Sequence, residues 1–315
     1  MKAMKITPIL FLGGAGFIGS NIIKELSLTN LYDIHVLEPE FANIDRLKGF
    51  DVTVHRGKLS DYDKLNIILI TKKIEVVVHL VSTLNPGSQY NEFVNEFQNI
   101  VFPTIQLMHI CAERNIKFIY FSSGGTVYGN REEIKPSSEE EHLAPISHYG
   151  WLKQMAENSI LFIHRTKNLD YLIVRPSNPY GPGQGLFGRQ GLIAVSIGKI
   201  ITGDTIEVWG DGSSIRDYIF IDDLSKIVCK LICDNVKNTT LNVGSGIGIS
   251  VNEIISSLRK VAGDKVKVIY KDARSVDVNG VILDTKKLKS YVNYKLTSLD
   301  EGVSRFYNYA LNILQ

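Results

Sequence analysis

Leu10-Phe11-Leu12-Gly13-Gly14-Ala15-Gly16-Phe17-Ile18-Gly19 decides how the rest of the chain is read. The apolar run from Ile9 to Leu12 reads as a buried strand. Asn21 to Leu28 then carries Ile22, Ile23 and Leu26 at helical spacing. The order is strand, glycine turn, helix. In that order Gly13 allows the tight turn, Gly16 lets the backbone approach a pyrophosphate, and Gly19 lets the helix pack on the strand. The helix N-terminus adds N–H groups and a positive dipole end for phosphates. A glycine triplet alone is weak evidence. Here a second apolar strand, Ile34 to Leu37, follows and ends in Glu38, the place where a dinucleotide fold puts an acid on ribose hydroxyls. The alternative for Glu38 is a solvated strand-end charge. As a ribose ligand it favours NAD over NADP, because a carboxylate repels a ribose phosphate; Arg46 nearby keeps NADP open.

Composition sets the outer bounds. The 315 residues are 44% hydrophobic and 22% charged, an ordinary globular balance with length for one large domain or two. A net charge of +2 points to neither nucleic acid nor an anionic membrane as partner. The lysines among Met1 to Lys5 precede a short apolar run that enters the glycine turn directly, so the run reads as the first strand rather than a signal peptide. No apolar stretch is long enough to span a bilayer. Cys111, Cys229 and Cys233 sit in helical patterns and read as reduced core residues of a cytoplasmic protein. The seven histidines are scattered and make no metal-ligand pattern.

Beyond the first unit, strands and helices alternate. Asp51 to Arg56, Glu75 to Val81, Lys117 to Phe121 and Asp170 to Arg175 read as strands, with helices from Tyr62, from Tyr90 to Arg114 and from Tyr149 to about Arg165. Pro103 predicts a kink or break in the long middle helix. The pattern predicts an α/β fold, a doubly wound parallel sheet (Rossmann) with a smaller α/β C-terminal substrate-binding domain. The expected division is 1–178 plus about 219–243 for the dinucleotide domain, and about 179–218 plus 244–315 for the other. Gly244-Ser245-Gly246-Ile247-Gly248 resembles a phosphate loop but lacks a following acid-tipped strand, so it reads as a structural turn. Gly210-Asp211-Gly212 reads as a hairpin-type turn.

Tyr149 and Lys153 stand four residues apart on a predicted helix and share a face. An ammonium beside a phenol lowers a pKa that is otherwise about 10, which makes Tyr149 a candidate general base. Tyr291 and Lys295 have the same interval. Only Tyr149 follows the Ser122–Thr126 strand end, on the carboxyl edge where such sheets bind ligands.

Gly13-xx-Gly16-xx-Gly19, Ser122-Ser123-Gly124-Gly125-Thr126-Val127-Tyr128-Gly129 and Tyr149-xxx-Lys153 together resemble the extended short-chain dehydrogenase/reductase family. The similarity is nearest to nucleotide-sugar epimerases of the UDP-glucose 4-epimerase type. It extends through Arg175 to Gly183, Trp209 to Tyr218 and Arg274-xx-Asp277. The resemblance implies catalysis by Tyr149 and Lys153. It implies NAD contacts from Gly13, Gly16, Phe17, Ile18, Gly19, Glu38, Lys58, Leu59, Leu80, Val81, Ser82, Asn99, Ser122, Tyr149, Lys153 and Pro176. It also implies that Gly124, Gly125 and Thr126 meet the substrate, that Asn178, Arg216 and Arg274 hold its diphosphate, and that Asp277 holds the nucleotide ribose. Arginine forks suit phosphate oxygens. The implied reaction is inversion of carbon 4 of a UDP-hexose through a transient 4-keto sugar, in a homodimer paired through the Tyr90–Arg114 and Tyr149–Arg165 helices, feeding surface polysaccharide synthesis.

Four departures from the family's pattern stand out. Gly124 stands where Ser or Thr commonly offers a hydroxyl to the reacting sugar oxygen; Thr126, then Ser123, are the candidate substitutes. Lys58 replaces an Asp that often contacts adenine, and lysine accepts no hydrogen bond. Leu12 replaces a Thr, and Val81-Ser82 replace a smaller pair near the nicotinamide. These departures keep a second enzyme reading open, an NADP-dependent reductase of a nucleotide-linked 4-keto-6-deoxy sugar. A dinucleotide sensor without turnover is a third, weakened by the Tyr–Lys pair.

Overall fold

The computed structural model describes residues 6–130, 135–188, 190–272 and 280–314. The first half builds β1 (Thr7–Leu12), α1 (Phe17–Ser27), β2 (Tyr32–Glu38), β3 (Val52–Arg56), α2 (Tyr62–Thr71), β4 (Val76–His79), α3 (Tyr90–Glu96), α4 (Phe102–Glu113), β5 (Lys117–Phe121), the short β6 (Pro136–Ser137), α5 (His148–Lys167) and β7 (Tyr171–Pro176). The second half adds β8 (Asn178–Tyr180), α6 (Leu192–Thr202), β9 (Ile206–Trp209), β10 (Ile215–Phe220), α7 (Ile221–Cys233), β11 (Thr239–Val243), β12 (Gly248–Ser250), α8 (Val251–Ala262), β13 (Val268–Lys271), β14 (Gly280–Leu283), α9 (Lys286–Tyr291) and α10 (Leu299–Leu314).

Seven parallel strands form the main sheet in the order β11-β7-β5-β4-β1-β2-β3. The order reverses between β1 and β4, so the carboxyl ends of those strands frame the crevice where such sheets bind ligands. β4, β5 and β7 are buried along their whole length, as a sheet covered on both faces requires. One layer packs α1 and α7 on the sheet through Ile22, Ile23, Leu26, Leu224, Ile227 and Val228. The opposite layer packs α2, α4 and α5 through Leu65, Leu107, Met108, Ala156 and Ile160.

A second core joins α6, α8 and α10 through Ile193, Ile197, Ile254, Leu258, Val303 and Phe306. Two smaller sheets flank it, one in the order β12-β10-β14-β6 with β8 beside β10, the other β13-β9. The chain crosses between the two bodies repeatedly. β11 returns to the large sheet, Leu288 and Val292 around α9 pack into its core, and β6 from the first half pairs with β14.

Two local readings are corrected here. Gly210 and Gly212 do turn at φ +75° and +77°, but they close no hairpin: β9 pairs with β13 while β10 pairs with β8, β12 and β14. Pro103 does not break the helix either. It sits in the first turn of α4, where its missing N–H is harmless, and a single π-turn, Phe97–Val101, joins α3 to α4.

Among the described residues no helix is long and apolar enough to cross a membrane, and no group of three or more His, Cys, Asp or Glu is placed to hold a metal ion. Cys111, Cys229 and Cys233 are free thiols.

Candidate active site

A cleft of about 610 Å³ opens at the carboxyl ends of the large sheet. One end is walled by Gly13, Gly16, Phe17, Ile18 and Gly19, the middle by Leu80, Ser82, Ser122, Ser123, Tyr149, Lys153 and Pro176, and the far side by Gly125, Thr126, Asn178 and Tyr218.

The glycine end is shaped for an anion. Gly13 takes φ +78°, a conformation that side chains resist. A Cβ on Gly19 would lie 2.7 Å from Gly14 Cα and 2.9 Å from the Gly13 carbonyl oxygen, so the helix could not seat on the turn. α1 begins at Gly16 with no side-chain cap and no acid in its first turn. By contrast Asp61, Ser147 and Ser250 cap α2, α5 and α8. The first-turn N–H groups of α1 are therefore offered to the cleft. Glu38, at the end of β2 and buried, accepts the Ala15 N–H at 2.7 Å, which ties the acid to the turn. Burial pushes its carboxyl above the ordinary range, against the pull of that N–H and of Arg56. These features fit a dinucleotide: a cradle that side chains would fill and uncapped N–H groups for a diphosphate, with the acid Glu38 behind the turn rather than in the cleft lining.

Arg46 donates to the Gly183 carbonyl at 2.8 Å, and Asn21 to the Pro182 carbonyl at 3.3 Å. The loop after β8 is thereby strapped over the start of α1. Val81 backs the turn, its Cγ2 3.2 Å from where a Gly13 Cβ would stand. Leu59 is buried beneath the sheet end, whereas Lys58 is exposed. Neither lines the cleft.

At the centre, Lys153 is buried and donates to the Phe121 carbonyl at 2.9 Å, with its Nζ 5.6 Å from the centroid of the Tyr149 ring. Ser123 hydrogen-bonds the Tyr149 phenol. The expectation that the ammonium lowers the phenol is corrected. Burial dominates and pushes Tyr149 up to about 12, with the hydrogen bond from Ser123 pulling down and the charge of Glu96 pushing up. Burial also lowers Lys153 to about 8, against Glu96 and Glu157, which favour its charged form. The helix α5, which carries Tyr149 and Lys153, is held to the sheet by a buried pair: Arg175 on β7 donates to Glu157 at 2.6 and 3.0 Å and to the Tyr128 hydroxyl at 2.9 Å.

Ser122 Oγ and Thr126 Oγ1 are both buried without a hydrogen-bond partner and belong to residues lining the cleft. Gly124 lies behind that wall. A Cβ there would meet Leu283 Cδ1 at 2.6 Å, Leu283 Cδ2 at 2.9 Å and the Arg175 carbonyl at 3.0 Å. The hydroxyl missing at 124 is thus excluded by a leucine from the second body, and Ser123 is the hydroxyl that reaches the phenol.

Asn178 donates to the Asp217 carbonyl at 2.8 Å. Arg216 does not line the cleft. Its guanidinium folds onto the Ser214 hydroxyl and the Ile215 carbonyl, two residues along β10 from Tyr218, which does. Arg274 and Asp277 fall outside the described residues. The Gly244–Gly246 turn is filled from within: the buried Asp217 carboxylate accepts Ser245 N–H, Ser245 O–H, Gly246 N–H and Leu283 N–H.

Asn99 is the clear misplacement. It is exposed and donates to the carbonyl and side chain of Asn95. The π-turn is the reason, since its wider i→i+5 winding keeps Glu96, Ile100 and Thr104 facing inward and turns Asn99 out. Sequence reading also missed Ser177, Gln184 and Tyr218 in the cleft wall. Ser177 and Tyr218 lie inside the quoted motif segments, where spacing alone does not say which residues point inward.

A provisionally named UDP-glucose 4-epimerase of Methanocaldococcus jannaschii is 32% identical over 309 residues, covering 96% of this chain and 98% of its own. A dTDP-4-dehydro-6-deoxyglucose reductase of Escherichia coli is 29% identical over 304 residues, covering 94% and 95%. The solved UDP-glucose 4-epimerase of Thermotoga maritima, in complex with UDP-glucose, superposes with a TM-score of 0.91 at 28% identity, covering 98% of this chain and 100% of its own. The model of the NAD-dependent epimerase/dehydratase family matches residues 9–244, and the chain belongs to that family.

Proposed function

We propose that this protein is an NAD-dependent epimerase that inverts carbon 4 of a UDP-hexose through a transient 4-keto sugar. The observation that carries the reading is one cleft in which a dinucleotide cradle and a buried Tyr–Lys pair meet. Gly13, Gly16, Gly19 and Glu38 would hold the diphosphate and adenosine ribose of NAD, and Ser122, Lys153 and Pro176 its nicotinamide half. NAD, when bound, supplies a reversible hydride acceptor and a cationic ring. Tyr149 takes the proton of the sugar hydroxyl and returns it after the ring has turned over. Burial, which pushes Tyr149 up to about 12, makes its phenolate a strong base once formed, and the cationic ring of bound NAD would favour that ionisation. Ser123 orients the phenol, and Thr126, whose buried Oγ1 has no partner among the described residues, is the second candidate hydroxyl for the sugar, which it would meet only by turning into the cleft. Asn178 in the cleft wall is assigned to the nucleotide diphosphate, with Arg274 and Asp277 for diphosphate and ribose as the resemblance implies, and Arg216 would join them only by leaving Ser214 and the Ile215 carbonyl. The exposed Tyr90, Phe102, Trp151 and Phe162 on α3, α4 and α5 support a homodimer through those helices.

The test is to incubate purified protein, with no cofactor added, with UDP-galactose and UDP-N-acetylgalactosamine, and to follow the anomeric protons by NMR. Appearance of the gluco epimer supports the reading. No change in either substrate, even with NAD supplied, overturns it. The similarity to the deoxysugar reductase favours one alternative, NADP-dependent reduction of a nucleotide-linked 4-keto-6-deoxy sugar. Consumption of NADPH with such a substrate would establish it.

A further inference from the structure

Behind the Tyr149–Lys153 pair stands an acid that no role above uses. Glu96 ends α3 with 3% of its surface exposed. Its carboxylate accepts the Ser82 hydroxyl at 2.8 Å, the Thr83 N–H at 3.1 Å and the Thr83 hydroxyl. These bonds pin the turn after β4, whose Ser82 lines the main cleft. On its other side a small cavity separates Glu96 from Lys153 and Tyr149.

Of the other titratable groups near that cavity, His79 and Tyr120 are uncharged, and Glu157, which also favours the Lys153 ammonium, is paired. His79 on β4 is held neutral, since burial drives it down to about 3, and its Nε2 meets the Thr104 hydroxyl at 2.8 Å. Tyr120 on β5 is held protonated by burial. Glu157 on α5 is taken by Arg175. A buried carboxylate whose hydrogen bonds are all donated by a turn is fixed in place, and a fixed charge in a low-dielectric wall acts strongly on its neighbours.

We propose that Glu96 is a positioning residue: it seats the Ser82–Thr83 turn against the cleft and holds the Tyr149–Lys153 pair in its working charge state. Its negative charge favours the Lys153 ammonium, which burial disfavours, and opposes premature ionisation of Tyr149. The assignment of Tyr149 and Lys153 as the acid–base pair rests on the function proposed above.

Glu96→Gln keeps the shape and one of the two acceptor oxygens while removing the charge. The primary readout needs no turnover: the ultraviolet tyrosinate signal of Tyr149, taken as the spectrum of each protein minus that of its own Tyr149→Phe counterpart, across a pH titration. The midpoint is expected to fall by about 0.5–1 pH unit in Glu96→Gln and to return in Glu96→Asp. An unmoved midpoint overturns the inference, whatever the rate does, because a residue that only held the turn would leave it in place. Should Glu96→Gln fail to fold, Glu96→Leu with Ser82→Ala and Thr83→Val replaces the hydrogen-bonded side chains by apolar groups of similar shape, leaving only the Thr83 N–H without its acceptor, and the same midpoint is read. A shifted midpoint in a protein that epimerises nothing would leave this inference standing and remove the proposed function instead.

Discussion

Gly124→Ser tests whether the hydroxyl missing from the cleft wall is excluded by packing. The backbone at 124 is not in the left-handed region, so any cost comes from space. The new Cβ would stand 2.6 and 2.9 Å from the two methyls of Leu283, a residue 1% exposed, and 3.0 Å from the Arg175 carbonyl, which belongs to β7 and cannot retreat. Overpacking of this kind costs about 1–3 kcal/mol. Leu283→Ala alone leaves a cavity and costs about 2–5 kcal/mol. If the two sites compete for the same volume, the double variant should cost less than the sum by about 1–3 kcal/mol. Equilibrium urea unfolding followed by the fluorescence of Trp151 and Trp209 measures all four proteins. Full additivity within about 0.5 kcal/mol, or a Gly124→Ser variant as stable as the parent, would refute the argument that Leu283 closes this position.

Three further outcomes follow from the same geometry. Tyr149→Phe should lower the epimerisation rate by about 10²–10⁴-fold, the range of a positioned acid–base group, while leaving the fold intact by circular dichroism. Glu157→Gln leaves the buried Arg175 without its carboxylate and should cost about 3–5 kcal/mol in urea unfolding, whereas Glu157→Leu with Arg175→Met should cost far less. Lys153 titrates at about 8 in the folded chain against its ordinary 10.5. The folded state therefore binds fewer protons than the unfolded state between those values, and the burden of the buried charge is complete below pH 8 and relieved as pH rises to 10.5. Lys153→Met should accordingly exceed the parent in stability at pH 7, by up to about 3 kcal/mol, and the difference should shrink between pH 8 and 10.

What the chain determines locally was readable from its residues. Ile9 to Leu12, the glycine turn and the helix behind it are set by hydrophobic period and by conformations open only to glycine, and they stand as read. The four-residue interval of Tyr149 and Lys153 needed only a helix to become a shared face. Tertiary structure decided everything that depends on what lies across a gap. Pro103 is accommodated by a π-turn, and that turn swings Asn99 outward and brings Glu96 in. Gly124 is explained by Leu283, 159 positions later in the chain. The phenol of Tyr149 is pushed up rather than down because desolvation, a property of the enclosing walls that spacing does not reveal, is the largest influence on it. Periodicity reports which side a residue faces. It carries no information on which distant side chain fills the space there, or on how much water is left.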